Sequence, residues 1–244
     1  MATLRQRARP PNPRQPLISI YADPVFSADD SRVKVPWWQW LRPVSRLRPE
    51  PQLDRLPFSL REAETIRAIA PPGQVVWHLG LDATKDSLMA PAAGQPRILH
   101  LATHAMVNDT APESSWIALS LVDGGGAPRE GTLFLNEIFT LNLNTELVVL
   151  SACSTGLGKL VAGEGLWGFS RAFFHAGAQR LLISLWPVDD AATAELVGDF
   201  YKGLLADHLR PSSALLAARR GMWAQSRWRD PYLWSGFTLT GEID

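Results

Sequence analysis

Five short apolar runs, separated by stretches with helical spacing, constrain this chain more than any other feature of its sequence. They are Leu17–Tyr21 (LISIY), Val75–Leu79 (VVWHL), Arg97–Thr103 (RILHLAT), Leu147–Ala152 (LVVLSA) and Arg180–Trp186 (RLLISLW). Four of the five are dense in Val, Ile and Leu with little polar alternation, the pattern of strands buried on both faces. A sheet covered on both sides needs helices in its crossovers, and helical segments are where they should be. Ser59 and Glu62 read as a capping box that opens a helix to about Ala70, stopped by Pro71-Pro72-Gly73. A short helix follows near Thr84–Met89, then longer ones at Gly165–Ala176, Asp189–Ala206 and Ser212–Ala224. Trp116–Val122 and Gly131–Phe134 read as a hairpin around Gly124-Gly125-Gly126, and Leu233–Thr240 as a closing strand. Strand–helix alternation throughout predicts one α/β three-layer domain with a mostly parallel central sheet and helices on both faces.

The chain has 244 residues, 46% of them apolar and 20% charged, enough material for a large core. Basic and acidic side chains balance at 24 each, which leaves no electrostatic footprint for nucleic acid or an anionic membrane. No run approaches the ~18 consecutive apolar residues of a membrane span. A single cysteine excludes an internal disulfide framework and fits a reducing, cytoplasmic setting. Residues 1–16 carry four arginines, repeated proline and no apolar core, so they read as a disordered tail rather than a secretory signal or transit peptide. The domain proper is then 17–244. Within it, Pro36–Pro57 is rich in Pro and Trp and reads as a long ordered loop, with local packing the simplest use of its tryptophans.

In sheets of this kind, reactive groups gather at the carboxyl ends of the strands. Two of the runs end on reactive side chains: His104 closes RILHLATHA and, about fifty residues later, Cys153 closes ELVVLSAC. A peptidase thiol needs a base beside it, because the thiolate is the nucleophile. Imidazole serves, since it titrates near neutrality and can return the proton to a leaving amine. Gly156 and Gly158 follow the cysteine and let backbone approach a substrate carbonyl. The N–H groups of Cys153 and Ala105 are the candidate oxyanion donors. On pattern alone the alternative stays open, for a lone Cys after a strand is commonly a small buried hydrophobe and a lone His a satisfied polar group.

Asp189 and Asp190 follow the run RLLISLW at the same edge. They serve either as N-caps for the next helix or as carboxylates of a substrate pocket that favours a basic P1 side chain. Glu164 suits the positive end of a helix dipole, and His175 is a packing or surface residue.

Other motifs fail on spacing. Gly163, Gly165 and Gly168 spell G-x-G-x-x-G with Asp189 downstream, but some ten residues separate them from the preceding strand, where a dinucleotide turn must begin at once. His100 and His104 have zinc-helix spacing but sit on a strand and lack the intervening Glu. Gly158-Lys159 lacks the rest of a P-loop, and the segment from Gly168 lacks the last glycine of a nucleophile elbow.

The stretches ILHLATHA, ELVVLSACSTGLG, AGEGLWGFSRAFFHAGA, RLLISLWPVDDAAT and DPYLWSGFTLTGE resemble the CHAT domains, as do ADPVF and SLREAETI. The resemblance runs from about Leu17 to Glu242. It implies a caspase-like fold and a cysteine endopeptidase whose dyad falls on His104 and Cys153, with no cofactor and no metal. It implies a protein or peptide substrate and, as partner, a regulatory protein with helical repeats. The chain departs from many relatives at Ala105, where they carry glycine. Because some members of the family are not peptidases, a catalytically silent interaction scaffold is the second reading.

Overall fold

The computed structural model describes residues 15–34, 53–90, 95–108, 110–151 and 164–242. Its central sheet has six strands: β1 (Ile18–Ala22), β2 (Val75–Leu79), β3 (Ile98–Ala102), β7 (Leu147–Leu150), β8 (Arg180–Ser184) and β9 (Phe237–Gly241). Their spatial order is β2-β1-β3-β7-β8-β9, with every neighbouring pair parallel except β8–β9. The α/β architecture expected from the apolar runs is therefore present, with one antiparallel edge strand.

Strand alternation sorts the core onto two faces. Ile18, Ile20 and Ala22 of β1, Ile98 and Ala102 of β3, and Leu147 and Val149 of β7 pack with α1 (Pro57–Ile69), α5 (Asp190–Tyr201) and α6 (Pro211–Ala224). The other face carries Tyr21, Leu99, Leu101, Val148 and Leu150 against α4 (Glu164–Ala176) and its neighbours. Phe169 and Phe173 of α4 are fully buried there, worth about 2–3 kcal/mol each in surface removed from water. This second face also holds α2 (Lys85–Met89), α3 (Leu135–Ile138) and a small antiparallel sheet of β4 (Ala105–Met106), β5 (Trp116–Ala118) and β6 (Thr132–Phe134).

The hairpin β5–β6 turns where its glycines sit. Asp123 Oδ1 accepts from the N–H groups of Gly125 and Ala127, and Gly126 takes φ +82°, open to glycine at no steric cost. Two small elements, β4 and α3, carry no periodic signal because they are two and four residues long.

Several boundaries differ from the sequence expectation; the first hairpin strand, for example, ends at Ala118 rather than Val122. Helix α1 starts at Pro57, so Ser59 and Glu62 lie inside it and form no capping box. Ser59 Oγ instead donates to the Leu56 carbonyl and accepts the Asp23 N–H, while Glu62 turns into the core. The last strand begins at Phe237 rather than Leu233, because Pro231–Leu233 forms a 3₁₀ turn in which Asp230 accepts the Tyr232 N–H. Helix α5 ends in a π-helical turn over Lys202–Ala206, which finishes the run to Ala206. Residues 1–14 and 35–52, which include most of the expected tail and most of the Trp-rich loop, lie outside the described residues.

Candidate active site

The carboxyl edge of the sheet gathers four strand ends. The register pairs Ala22 of β1 with Ala102 of β3, and Leu101 of β3 with Leu150 of β7. Asp23 thus follows β1 immediately, and His104 lies two residues beyond β3. In the sequence Cys153 stands as far beyond Leu150 as His104 does beyond Leu101; it lies outside the described residues, with Ser151 the last described residue before it.

His104 is buried, 4% exposed. Its Nε2 sits 2.7 Å from the carbonyl oxygen of Asp54, in the short segment Leu53–Leu56 that straps across the edge before α1. A carbonyl can only accept, so this contact fixes the proton on Nε2 and leaves the lone pair on Nδ1. Among the described residues Nδ1 has no hydrogen-bond partner although it is buried. The Phe26 ring packs at 5.2 Å from the imidazole centroid and limits its tilt. Burial pushes the imidazole below its usual pKa, partly countered by the Asp54 carbonyl and by the Asp54 charge. A neutral ring with a basic, unpartnered Nδ1 at a strand end is what a thiol nucleophile requires of its base.

Ala105 opens β4. The Ala118 N–H donates to the His104 carbonyl at 2.9 Å, so Ala105 and Ile117 form a pair without mutual hydrogen bonds. The Ala105 N–H is therefore turned away from β5. The oxyanion expectation for Cys153 falls outside the described residues.

Asp189 and Asp190 follow β8 at this edge and have separate surroundings. Asp189 is the exposed N-cap of α5, its Oδ1 accepting the Ala192 N–H at 2.9 Å. Asp190 reaches across to α1, where its Oδ2 accepts the Phe58 N–H at 3.1 Å. Burial, followed by the charges of Glu62, Asp189 and Asp23, raises the Asp190 carboxyl to about 6 against the opposing Phe58 hydrogen bond. A carboxylate with a raised folded-state pKa costs stability as pH rises from its unfolded value near 4 through about 6. Asp190→Asn keeps an acceptor for Phe58 and removes the charge. It is expected to raise stability by about 1 kcal/mol at pH 7.5, after allowance for solvent screening, and by nothing at pH 4. Thermal melts across this range check it.

The other motifs are absorbed by the fold. Gly165 and Gly168 lie in α4, and a Cβ at Gly168 would stand 3.0 Å from Leu135 Cδ2, so this glycine allows α4 to approach α3; Gly163 lies outside the described residues. Among the described residues no helix is long and apolar enough to cross a membrane.

The family model of the CHAT domain matches residues 2–242. The chain belongs to the CHAT domain family. Human tetratricopeptide repeat protein 28 is 31% identical over 192 residues, covering 67% of this chain and 8% of the relative. Its mouse counterpart is 39% identical over 113 residues, covering 46% of this chain and 4% of the relative. This CHAT chain thus spans less than a tenth of the curated relatives it matches. The crystal structure of gingipain R, an Arg-specific cysteine proteinase, superposes with a TM-score of 0.53 at 11% identity, covering 92% of this chain and 45% of that one. The CHAT domain therefore shares the fold of a cysteine proteinase, the caspase-like sandwich its sequence implies.

The sequence motifs led to His104 but not to the groups around it. The acceptor for Nε2 is a backbone carbonyl, which no residue type announces. Asp23, Arg32 and Arg55 at the same edge also escaped notice, because their meeting depends on sheet register and on the strap.

Proposed function

We propose that this domain is a cysteine endopeptidase in which His104 is the base for Cys153. The observation that carries the reading is the buried imidazole, held through Nε2 by the Asp54 carbonyl, with Nδ1 unpartnered among the described residues. In the reaction Nδ1 takes the thiol proton as Sγ bonds to the scissile carbonyl carbon. The Ala105 N–H, with that of Cys153, stabilises the oxyanion. Collapse expels the amine, which leaves with the proton held on Nδ1, and the acyl group remains on sulfur. Nδ1 then deprotonates a water that hydrolyses the thioester and restores the thiol.

Asp189 and Asp190 give this edge an acidic side, and we assign it to a substrate pocket for a basic P1 side chain. The arginine specificity of gingipain R, which has the same fold, supports the assignment. The single cysteine favours a reducing compartment, the cytoplasm. The tetratricopeptide repeats named in its relatives favour control by a helical-repeat protein, in cis or in trans. No cofactor or metal enters the proposed chemistry.

Matched peptides ending in Arg or Asp at the cleavage position test the proposal, with Cys153→Ala as control. Cysteine-dependent cleavage after Arg is expected. Preference for Asp would remove the acidic pocket and leave the peptidase. A Cys153 inert to peptidyl electrophiles would instead favour the scaffold reading.

A further inference from the structure

The strap that holds His104 is itself held by one buried carboxylate. Asp23 is fully enclosed, its side chain 4% exposed, directly after β1. Its two oxygens accept the fork of Arg55, from Nε at 2.9 Å and from Nη2 at 2.8 Å. Arg32 Nη1 approaches the same carboxylate at 2.7 Å and also donates to the Asp23 backbone carbonyl at 2.7 Å. The remaining Arg32 donors are taken by Asp30. Two guanidinium groups and two carboxylates therefore form one closed, neutral network.

Asp23 has φ +50°, the left-handed region that a non-glycine residue occupies only at a cost. That backbone turn keeps the side chain at the sheet edge rather than letting the strand continue. The Asp23 N–H donates to Ser59 Oγ at 3.0 Å, and that hydroxyl donates to the Leu56 carbonyl at 2.7 Å. Residue 23 thus holds the strap through Arg55 and through Leu56. Between these ties and the imidazole stands a single peptide group, the Asp54 carbonyl bonded to the nitrogen of Arg55. The same post-β1 segment supplies Phe26 to the face of the imidazole.

We infer that Asp23, acting through Arg55, is the positioning residue for His104: it sets the Asp54 carbonyl that fixes the orientation of the base. The inference rests on the peptidase reading. The Arg55 guanidinium is 43% exposed, which limits what its ion pair adds to stability, so its significance here is geometric. Displacing a catalytic base by about 1 Å can cost about 100-fold in rate. Weakening the carbonyl acceptor also destabilises the imidazolium and with it the thiolate it accompanies.

The test is the pH profile of Cys153 alkylation by iodoacetamide, together with kcat and KM for a peptide substrate, in the full chain. Wild type and His104→Ala are measured first: a low thiol pKa that vanishes without His104 is the signature of the pair. Arg55→Ala, truncating a side chain 43% exposed, is expected to raise the apparent thiol pKa toward that of free cysteine. It should lower kcat by about tenfold or more with KM unchanged, and Arg55→Lys should recover part of the loss. Asp23→Asn should act in the same direction and more strongly. Arg97→Ala removes a comparable fork, onto Glu146 at the far end of the strands, and should leave the profile where it was. If Asp23→Asn fails to fold, Arg55→Ala decides the matter alone. A wild type with no His104-dependent thiol overturns the peptidase reading and the positioning role with it. A wild type with such a thiol, unmoved in pKa and rate by Arg55→Ala, overturns the positioning role and leaves the peptidase standing.

Discussion

Replacing His104 by alanine is expected to lower kcat/KM for peptide cleavage on the order of a thousandfold, almost all of it in kcat. Free cysteine has a pKa of about 8.5, so at neutral pH only a few per cent is thiolate, and an unassisted thiol attacks slowly and has no acid to protonate the leaving amine. His104 supplies both functions from one atom, because the Asp54 carbonyl accepts the Nε2–H hydrogen bond and leaves Nδ1 to the chemistry. Binding of the peptide does not use the imidazole, so KM should move little. The pH–rate profile of the wild type should lose its acidic limb below the usual histidine range, since burial depresses the imidazole pKa. Circular dichroism of the variant separates loss of the base from loss of the fold. Cleavage within tenfold of wild type in the alanine variant would exclude His104 as the base, and an acidic limb at or above pH 6.5 would contradict the effect of burial.

The fold was legible because its physics is repeated. Strands β1, β3, β7 and β8 are covered on both faces, so each reads as an uninterrupted apolar run. Helix α4 shows its helical spacing because Phe169, Ala172, Phe173 and Ala176 form one buried stripe. The small elements were not legible: β4 and α3 are shorter than one period of any pattern. At the site the division is sharper. His104 could be found because imidazole at a strand end is chemically unusual. Asp54 could not, since its backbone acts and any residue type has a carbonyl. Asp23, Arg32 and Arg55 are ordinary charged residues in the sequence; only the β1–β3 register and the strap bring them beside the base. Local spacing pairs Glu62 with Ser59 in a capping box that does not form, while the zinc-like spacing of His100 and His104 is already discounted by the strand they sit on. Both spacings are real, but α1 begins at Pro57, three residues earlier than the box requires, and β3 is an extended strand in which His100 shares the face of Ile98 and Ala102. His100 therefore points to the α1 side, into the core, where Glu62 meets it.

That meeting point should be the most sensitive in the core. Glu62→Ala is expected to destabilise the domain by about 3–5 kcal/mol, lowering its melting temperature by about 10 °C or more. Glu62 is 2% exposed, and His100 and Tyr201 are fully buried. Glu62 Oε1 lies 2.7 Å from His100 Nε2, away from ideal hydrogen-bond alignment, yet two lone pairs cannot approach so closely without a shared proton. On the other side of the ring, Nδ1 and the Tyr201 hydroxyl are 3.1 Å apart. Burial, and then the Glu62 charge, pushes the Tyr201 pKa well above its usual value, so the hydroxyl keeps its proton and donates it to Nδ1. The chain runs Tyr201 to His100 to Glu62, joining α5, β3 and α1 through one relay on the sheet face whose core includes Ile20, Ile66 and Val197. Removing the carboxylate strands a buried N–H and opens a cavity at once, and each has its own cost. Glu62→Gln retains the volume and an acceptor, so it should recover about half of the loss. The double variant Glu62→Leu with His100→Leu leaves no ring nitrogen to satisfy, and should melt above Glu62→Ala even though it removes two polar groups. Denaturant unfolding of the three variants orders them. If Glu62→Ala loses less than about 1 kcal/mol, the range of an exposed pair, the relay does not hold the helices to the sheet.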